Sequence, residues 1–401
     1  MERKNKYYNF KYRNKKSKLN DLEFKDNLVR IWYPRISKQE ELTLKNISKY
    51  PDIKPYIVIM PDFHLGHWTI NGSVIPSENL LYPNTIGGDI GCGISSLKIP
   101  ITHEEIKGPL RAIYNSIYEK VPTGKRVNRM PNDRVNQNPL FNQELEVLNN
   151  ANILNAKQQL GTLGRGNHFI ELQTDDYNKV NLMIHTGSRG LGQIIKNIFS
   201  KRSINYPKSK ACLYLEADSS EGINYLNHIN FALDYARENR KEIARKVLET
   251  ISDFVPHLKS YEDSLLINLI DTPHNTISRE EVFGNPVFIH RKGAIKIPKE
   301  VLAPIPGNMG SMSYLVEGRG NEYSFNSASH GAGRTMSRVE AQRKIRKKDL
   351  EVATENVICR KDESMLDEAP QAYKDINKVI SYQKDLIKRK HVFYPIACVK
   401  G

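Results

Sequence analysis

Cysteine is scarce in this chain. Its 401 residues hold four, Cys92, Cys212, Cys359 and Cys398, in unrelated contexts and with no C-x-x-C pair. That spacing excludes a disulfide scaffold and suits a reducing, cytoplasmic setting. Long hydrophobic runs are missing too: none approaches the roughly 18 residues that span a bilayer. The basic first 20 residues are not followed by the apolar segment of a signal peptide, so a soluble protein is expected. No internal repeat and no Pro/Gly/Ser-rich linker divides the chain. One intertwined α+β unit is expected over residues 25–401, with mixed sheets, glycine-rich loops and peripheral helices, behind a basic arm of residues 1–24.

Acidic residues are the minority, 45 against 60 Lys plus Arg, for a formal charge of +15. A surplus of this size favours a polyanionic partner, nucleic acid first, over a small neutral one; a plain solubility surplus gives the same number. The arm interleaves Lys4, Lys6, Lys11, Arg13, Lys15 and Lys16 with Tyr7, Tyr8, Phe10 and Tyr12, a composition that pairs with phosphates and stacks on bases, or simply stays solvated. A second basic stretch, with Lys125, Arg126 and Arg129, reads as a surface loop.

The pattern predicts a short helix over Lys38 to Lys49, a buried strand over Tyr56 to Met60, and short strands with tight loops from Pro61 to Leu97. Leu226, Ile229, Leu233, Ala236, Ile243 and Val247 recur at helical spacing and predict a long helix from Gly222 to Val255. Asn239 and Arg240 interrupt its apolar face, as a site wall or as an exposed edge. The tail predicts a helix over Asp375 to Lys388 and a strand near Val392 to Val399.

The chemistry begins at Gly87-Gly88-Asp89-Ile90-Gly91-Cys92-Gly93, where a carboxylate and a thiol share a glycine-rich turn. A thiolate can bridge two metal ions, an Asp adds a hard oxygen, and glycines admit close approach. Five histidines sit in similarly glycine- or asparagine-rich surroundings: His168, His185, His274, His290 and His330. Each alone reads most simply as a histidine satisfying a loop carbonyl, but that explains all five together poorly. Asp89, Cys92 and three of the histidines make a mixed S, N, O site suited to zinc, manganese, iron or cobalt, and a bridging thiolate allows two ions. Arg189, Arg291, Lys292 and Arg334 lie close by in sequence and would counter phosphate charge. His330, followed by Gly331, Gly333 and Arg334, is the candidate nucleophile toward phosphorus, with a metal-ligand role as its competitor.

The ordered segments MPDFHLGH, GGDIGCG, GTLGRGNHF, HTGSRGLG, HRKGA, PGNMGSMSY, SHGAGRTMSR, DEAPQAYKD and the terminal VKG resemble the RtcB-type RNA ligases over residues from about 25 to Gly401. The resemblance implies a GTP- and manganese-dependent enzyme of tRNA splicing or RNA repair. By it, Asp89, Cys92, His168, His185 and His274 hold two Mn²⁺ ions, with Cys92 shared. His330 carries a covalent guanylate, and Asn167, Glu171, Asn308, Ser313, Ala332, Gly333, Tyr373 and Lys400 surround the nucleotide. Glu171 would accept from the N1 and N2 donors of guanine. Asn308 stands where this family commonly has serine. Asp62 and His64, in the matching MPDFHLGH segment, would orient ligands. The implied partners are GTP and an RNA 3′-phosphate or 2′,3′-cyclic phosphate end with a 5′-hydroxyl end. Two readings compete: a relative that caps 3′-phosphate ends with the same machinery, and a metal-dependent phosphodiesterase that never uses GTP. The intact HGAGR segment, Glu171 and Lys400 argue against the second.

Overall fold

The computed structural model describes residues 20–66, 69–143, 145–209 and 212–401. The greater part of the basic arm therefore lies outside the described residues. Of its end, Asn20–Glu23 pairs antiparallel with Leu28–Ile31.

Two sheets organise the α+β fold. The larger has eight strands, running Ile270–Pro273, Gly93–Thr102, Lys179–Thr186, Phe169–Asp175, Ile387–Lys400, Ser313–Gly318 and Leu302–Ile305, with Ile358–Cys359 paired in parallel to Ile387–Lys400. The second has six, Asn20–Glu23, Leu28–Ile31, Ile57–Leu65, Ile70–Ser77, Asn285–Lys292 and Asn275–Val282. Near-continuous apolar strands such as Ile57–Leu65 are buried on both faces, so each large sheet carries a core on either side.

The helix Lys38–Ile47 starts where Ser37 and Glu40 form a reciprocal capping box. The long helix is present as Ser220–Ser252, opened by the Ser219 hydroxyl accepting from the Gly222 amide. Its apolar positions pack with Leu97, Leu182 and Leu172 of the large sheet, as helical spacing predicts. Among the described residues no helix is long and apolar enough to cross a membrane.

One predicted element is shorter than expected. The tail helix spans Ile376–Tyr382 only, and the chain then extends as the strand Ile387–Lys400. Gln383 is buried and its side chain accepts from the Ser329 amide, which ends the helix in a fixed turn. Beyond it, Ile387, Lys388 and Arg389 find ladder partners in Gly318, Glu317 and Val316, a pairing no local pattern reveals.

Candidate active site

The turn that carries Asp89 and Cys92 leads from the short helix Pro83–Ile86 into the strand Gly93–Thr102. Gly91 has φ of 72°, and a Cβ there would meet Ala236 of the long helix at 2.9 Å, so this close approach requires glycine. The turn is tied to the next candidate segment by its backbone. The Gly91 amide donates to Asn275 O at 2.9 Å, the His274 amide to Cys92 O at 2.7 Å, and Asn275 Nδ2 to Asp89 O at 2.9 Å.

Sheet register brings in the other imidazoles. His185 stands opposite both Ile94 and Phe169 on neighbouring strands, and His168 immediately precedes Phe169. Cys92 Sγ is 3.2 Å from His185 Nε2 and 3.6 Å from His168 Nε2, while His168 Nε2 lies 3.0 Å from Asp89 Oδ2. Two triads result, Cys92 with His185 and His274, and Asp89 with Cys92 and His168. Each has ligand atoms within 4.8 Å of one another, and they share the sulfur.

Backbone carbonyls set the tautomers. His168 Nδ1 donates to Leu163 O at 2.9 Å and His185 Nδ1 to Asn167 O at 3.1 Å, so both turn Nε2 toward the sulfur. His274 is buried with an Nδ1 that has no hydrogen-bond partner among the described residues. Burial, and then the neighbouring imidazoles, hold His185 and His274 well below the usual histidine range, in the neutral form that ligates metals. Burial works to raise Asp89, yet the hydrogen bond and charge of His168 outweigh it and hold the carboxyl ionised. Burial together with Asp89 pushes the Cys92 thiol well up, so this sulfur releases its proton only to a strong Lewis acid. One thiol, one carboxylate and three imidazoles can hold two divalent transition ions.

Next to the triads, His330 follows the strand Ser327–Ser329, its ring centroid 4.6 Å from that of His274. Asp62 Oδ2 lies 2.6 Å from His330 Nδ1, an ion-pair distance not aligned as a hydrogen bond, and the same oxygen accepts from the His330 and Gly331 amides. Asp62 is fully buried, and Lys374 anchors its strand by donating to Pro61 O and Phe63 O. Gly333 packs where a Cβ would fall 1.9 Å from Asp62 O, with φ of 73°. Gly333→Ala is expected to cost about 1–2 kcal/mol from the left-handed backbone alone, and to displace the Asp62 strand as well. A fall in melting temperature together with loss of His330 reactivity checks this, and an unchanged variant would contradict the packing.

These groups open onto a cavity of about 790 Å³. Among the expected site residues, His330, Asp89, Cys92, His185, His274, Asn167, Glu171, Asn308, Ser313, Ala332, Gly333, Tyr373 and Lys400 all line it, whereas His168 lies behind Asp89 and Cys92. His64 lines it too, hydrogen-bonded through Nδ1 to Asp62 O. The Asn308 side-chain oxygen accepts from the Gly310 amide, so the residue's carbonyl closes its own turn.

The structure corrects several sequence expectations. His290 stands apart: its ring donates to Ile75 O and accepts from the Tyr82 amide inside the six-stranded sheet. Arg291 is fully buried against Glu280 and does not line this cavity. Arg189 packs on Gly164, outside the cavity lining. Lys292 does line the cavity and donates to Ile86 O at 3.0 Å. Arg334 lines it as well, paired with Glu368. Asn239 and Arg240 are neither wall nor exposed edge. Both are fully buried, and Arg240 braces the ligand turns from below by donating to Gly91 O and Thr186 O at 2.8 Å while paired with Asp271. Asn239 accepts from the Gly161 and Thr162 amides and donates to Gly187 O. Their signal was present as two polar residues inside an apolar helical stripe.

Sequence reasoning missed Glu368. It is 2% exposed and gathers Lys400 Nζ at 2.8 Å, Arg338 at 2.6 Å, Arg334 at 3.3 Å and the Tyr373 hydroxyl at 2.6 Å. Burial opposes its charge, but Lys400 and Arg338 bring the carboxyl down to about 2. One carboxylate thus orders a whole cavity wall. The basic loop bearing Lys125, Arg126 and Arg129 is exposed and pinned beside the site, its Gly124 amide donating to Gly164 O at 2.6 Å, three residues before Asn167.

The chain is similar to known proteins over most of its length. A protein family described as "tRNA-splicing ligase RtcB" matches residues 43–401. The RNA-splicing ligase RtcB of Escherichia coli (strain K12) is 34% identical over 400 residues, covering 93% of this chain and 97% of that protein. The tRNA-splicing ligase RtcB of Nanoarchaeum equitans is 30% identical over 448 residues, covering 90% and 92%. That of Methanococcus maripaludis is 28% identical over 440 residues, covering 89% and 90%.

Proposed function

The chain belongs to the RtcB family, and from that premise we propose that it is a GTP- and manganese-dependent RNA ligase that joins a 3′-phosphate or 2′,3′-cyclic phosphate end to a 5′-hydroxyl end. The observation that carries the reading is the meeting, in one cavity, of the two sulfur-sharing triads with His330. Phosphodiester hydrolysis needs the metals alone; a nucleophilic imidazole beside them suits nucleotidyl transfer.

In this reading Asp89, Cys92 and His168 would hold one Mn²⁺, and Cys92, His185 and His274 the other. When bound, the ions neutralise phosphate charge and orient the reacting groups. The protein's own residues do the rest. His330 Nε2 attacks the α-phosphorus of GTP, the new P–N bond forms as the bond to the β-phosphate oxygen breaks, and pyrophosphate leaves. Asp62, facing Nδ1, keeps the other nitrogen turned to the nucleotide and stabilises the imidazolium charge. Tyr373, Lys400, Ser313, Ala332 and Asn308 enclose the guanylate, and Glu171 reads the base from the cavity side. GMP then passes to the RNA 3′-phosphate, and the 5′-hydroxyl of the second fragment displaces it, closing a phosphodiester. A cyclic phosphate is first opened by hydrolysis. The pinned basic loop suits an RNA backbone arriving next to Asn167.

The test is a sealing assay with defined RNA ends, run with GTP and with ATP and across several divalent metals. Joined product is expected with GTP and Mn²⁺ only, from 3′-phosphate and cyclic phosphate ends alike. Accumulation of guanylylated 3′ ends without joining assigns 3′-end capping, and GTP-independent opening of the cyclic phosphate as the sole activity assigns a hydrolase.

A further inference from the structure

Glu171 lines the cavity beside Cys398 and Lys400, which also act on its carboxylate, and a chain of polar side chains reaches it from behind the cavity wall. Gln173 Nε2 donates to Glu171 Oε1 at 2.6 Å, Asn181 Nδ2 donates to Gln173 Oε1 at 2.8 Å, and the Ser96 hydroxyl donates to Asn181 Oδ1 at 3.0 Å. The chain crosses three adjacent strands, Phe169–Asp175, Lys179–Thr186 and Gly93–Thr102. All four residues are buried: Gln173 is 0% exposed, Asn181 2%, and Ser96 and Glu171 3%. Gln173, Asn181 and Ser96 do not line the cavity.

The chain has a direction. An amide can present either its nitrogen or its oxygen, and only the network decides which. Here Gln173 Nε2 also faces the Met183 sulfur at 3.7 Å, and a thioether only accepts. The amide nitrogen therefore belongs at the Glu171 end, and each link runs donor to acceptor from Ser96 to the carboxylate. Such a chain ends on an accepting carboxyl oxygen; burial pushes the Glu171 carboxyl up to about 7, and the Gln173 hydrogen bond opposes that rise by favouring the ionised form. The reverse direction requires a protonated Glu171 that donates to Gln173.

The two directions select different bases. Guanine offers two donors, N1–H and the N2 amine, to a carboxylate that accepts. Adenine offers the N6 donor beside an N1 acceptor, and matches a carboxyl group that both accepts and donates. We propose that the buried chain Ser96–Asn181–Gln173 is a specificity device: it holds Glu171 as an acceptor and so sets the preference for guanine over adenine. The inference rests on the reading of Glu171 as the base-reading residue. Gln173 and Asn181 act through Glu171 and are positioning residues.

The experiment measures equilibrium binding of GMP, IMP, which lacks the N2 amine, and AMP to the full chain and its variants, alongside covalent labelling by GTP. Gln173→Met is expected to weaken GMP about tenfold, to leave AMP unchanged, and to raise KM in labelling with kcat unaltered. Ser96→Ala, which removes only the far end of the chain, is expected to shift the GMP to AMP ratio in the same direction by about threefold and serves if the first variant does not fold. Glu171→Gln is the control for the reading itself and should erase discrimination between GMP and IMP. If Glu171→Gln loses discrimination while folded Gln173→Met and Ser96→Ala keep the wild-type ratio, the proposal is overturned and the reading of Glu171 stands. If Glu171→Gln discriminates as well as the wild type, both fall together.

Discussion

His330→Ala is expected to abolish covalent labelling of the protein by α-labelled GTP, a loss of at least about three orders of magnitude. A neutral imidazole needs no prior deprotonation to attack phosphorus, and among the described residues no other nucleophile on the cavity wall is equally placed. Lys400 is committed to Glu368 at 2.8 Å, and burial with Asp89 holds the Cys92 proton on. Among the described residues lining the cavity, His330 combines a ring edge toward the cavity with a carboxylate, Asp62, at its other nitrogen. Asp62→Asn should lower the labelling rate while leaving GTP affinity near wild type, because it changes the charge behind the nucleophile and not the nucleotide wall. Acid-labile label, as a phosphoramidate gives, would identify the nitrogen linkage. Label persisting in His330→Ala would move the nucleophile elsewhere.

The second large effect is at Cys92. Its sulfur is the only atom common to both triads, so Cys92→Ala is expected to remove both metal equivalents and not one. Metal content after equilibration with Mn²⁺ and dialysis is the direct readout, and both labelling and sealing should vanish with it. His274→Ala, by contrast, removes a ligand from one triad only and should leave about one equivalent. If Cys92→Ala bound two ions and still sealed RNA, the shared sulfur would have no bridging task. The same donor set predicts a practical hazard. Mn²⁺ is among the weaker binders of the divalent series, so Zn²⁺ should displace it from a site with a thiolate and three imidazoles.

Most of the residues that meet around the cavity were legible because they carry constraints local to the chain. Asp89 and Cys92 stand in a turn that needs glycine at Gly91, and His168, His185 and His274 stand at strand ends beside Gly or Asn. Strand and helix periodicity located the buried strand Ile57–Leu65 and the long helix Ser220–Ser252. The tail helix came out too long because Ile387 to Arg389 take their conformation from pairing with Ser313–Gly318, a partner about 70 residues away.

By itself the sequence determined which residue types were available for phosphate and metal chemistry, the α+β class, and the family. Only the tertiary structure decided their company. It set His290 and Arg291 aside inside a sheet, and turned Arg240 from an interruption in a helix into a brace beneath the Asp89–Cys92 turn. It also made one carboxylate, Glu368, the common partner of Lys400, Tyr373, Arg334 and Arg338. The reason is physical. A local pattern reports what a residue can do, whereas a buried charge or amide is defined by which groups satisfy it, and those groups come from strands and helices far apart in the chain.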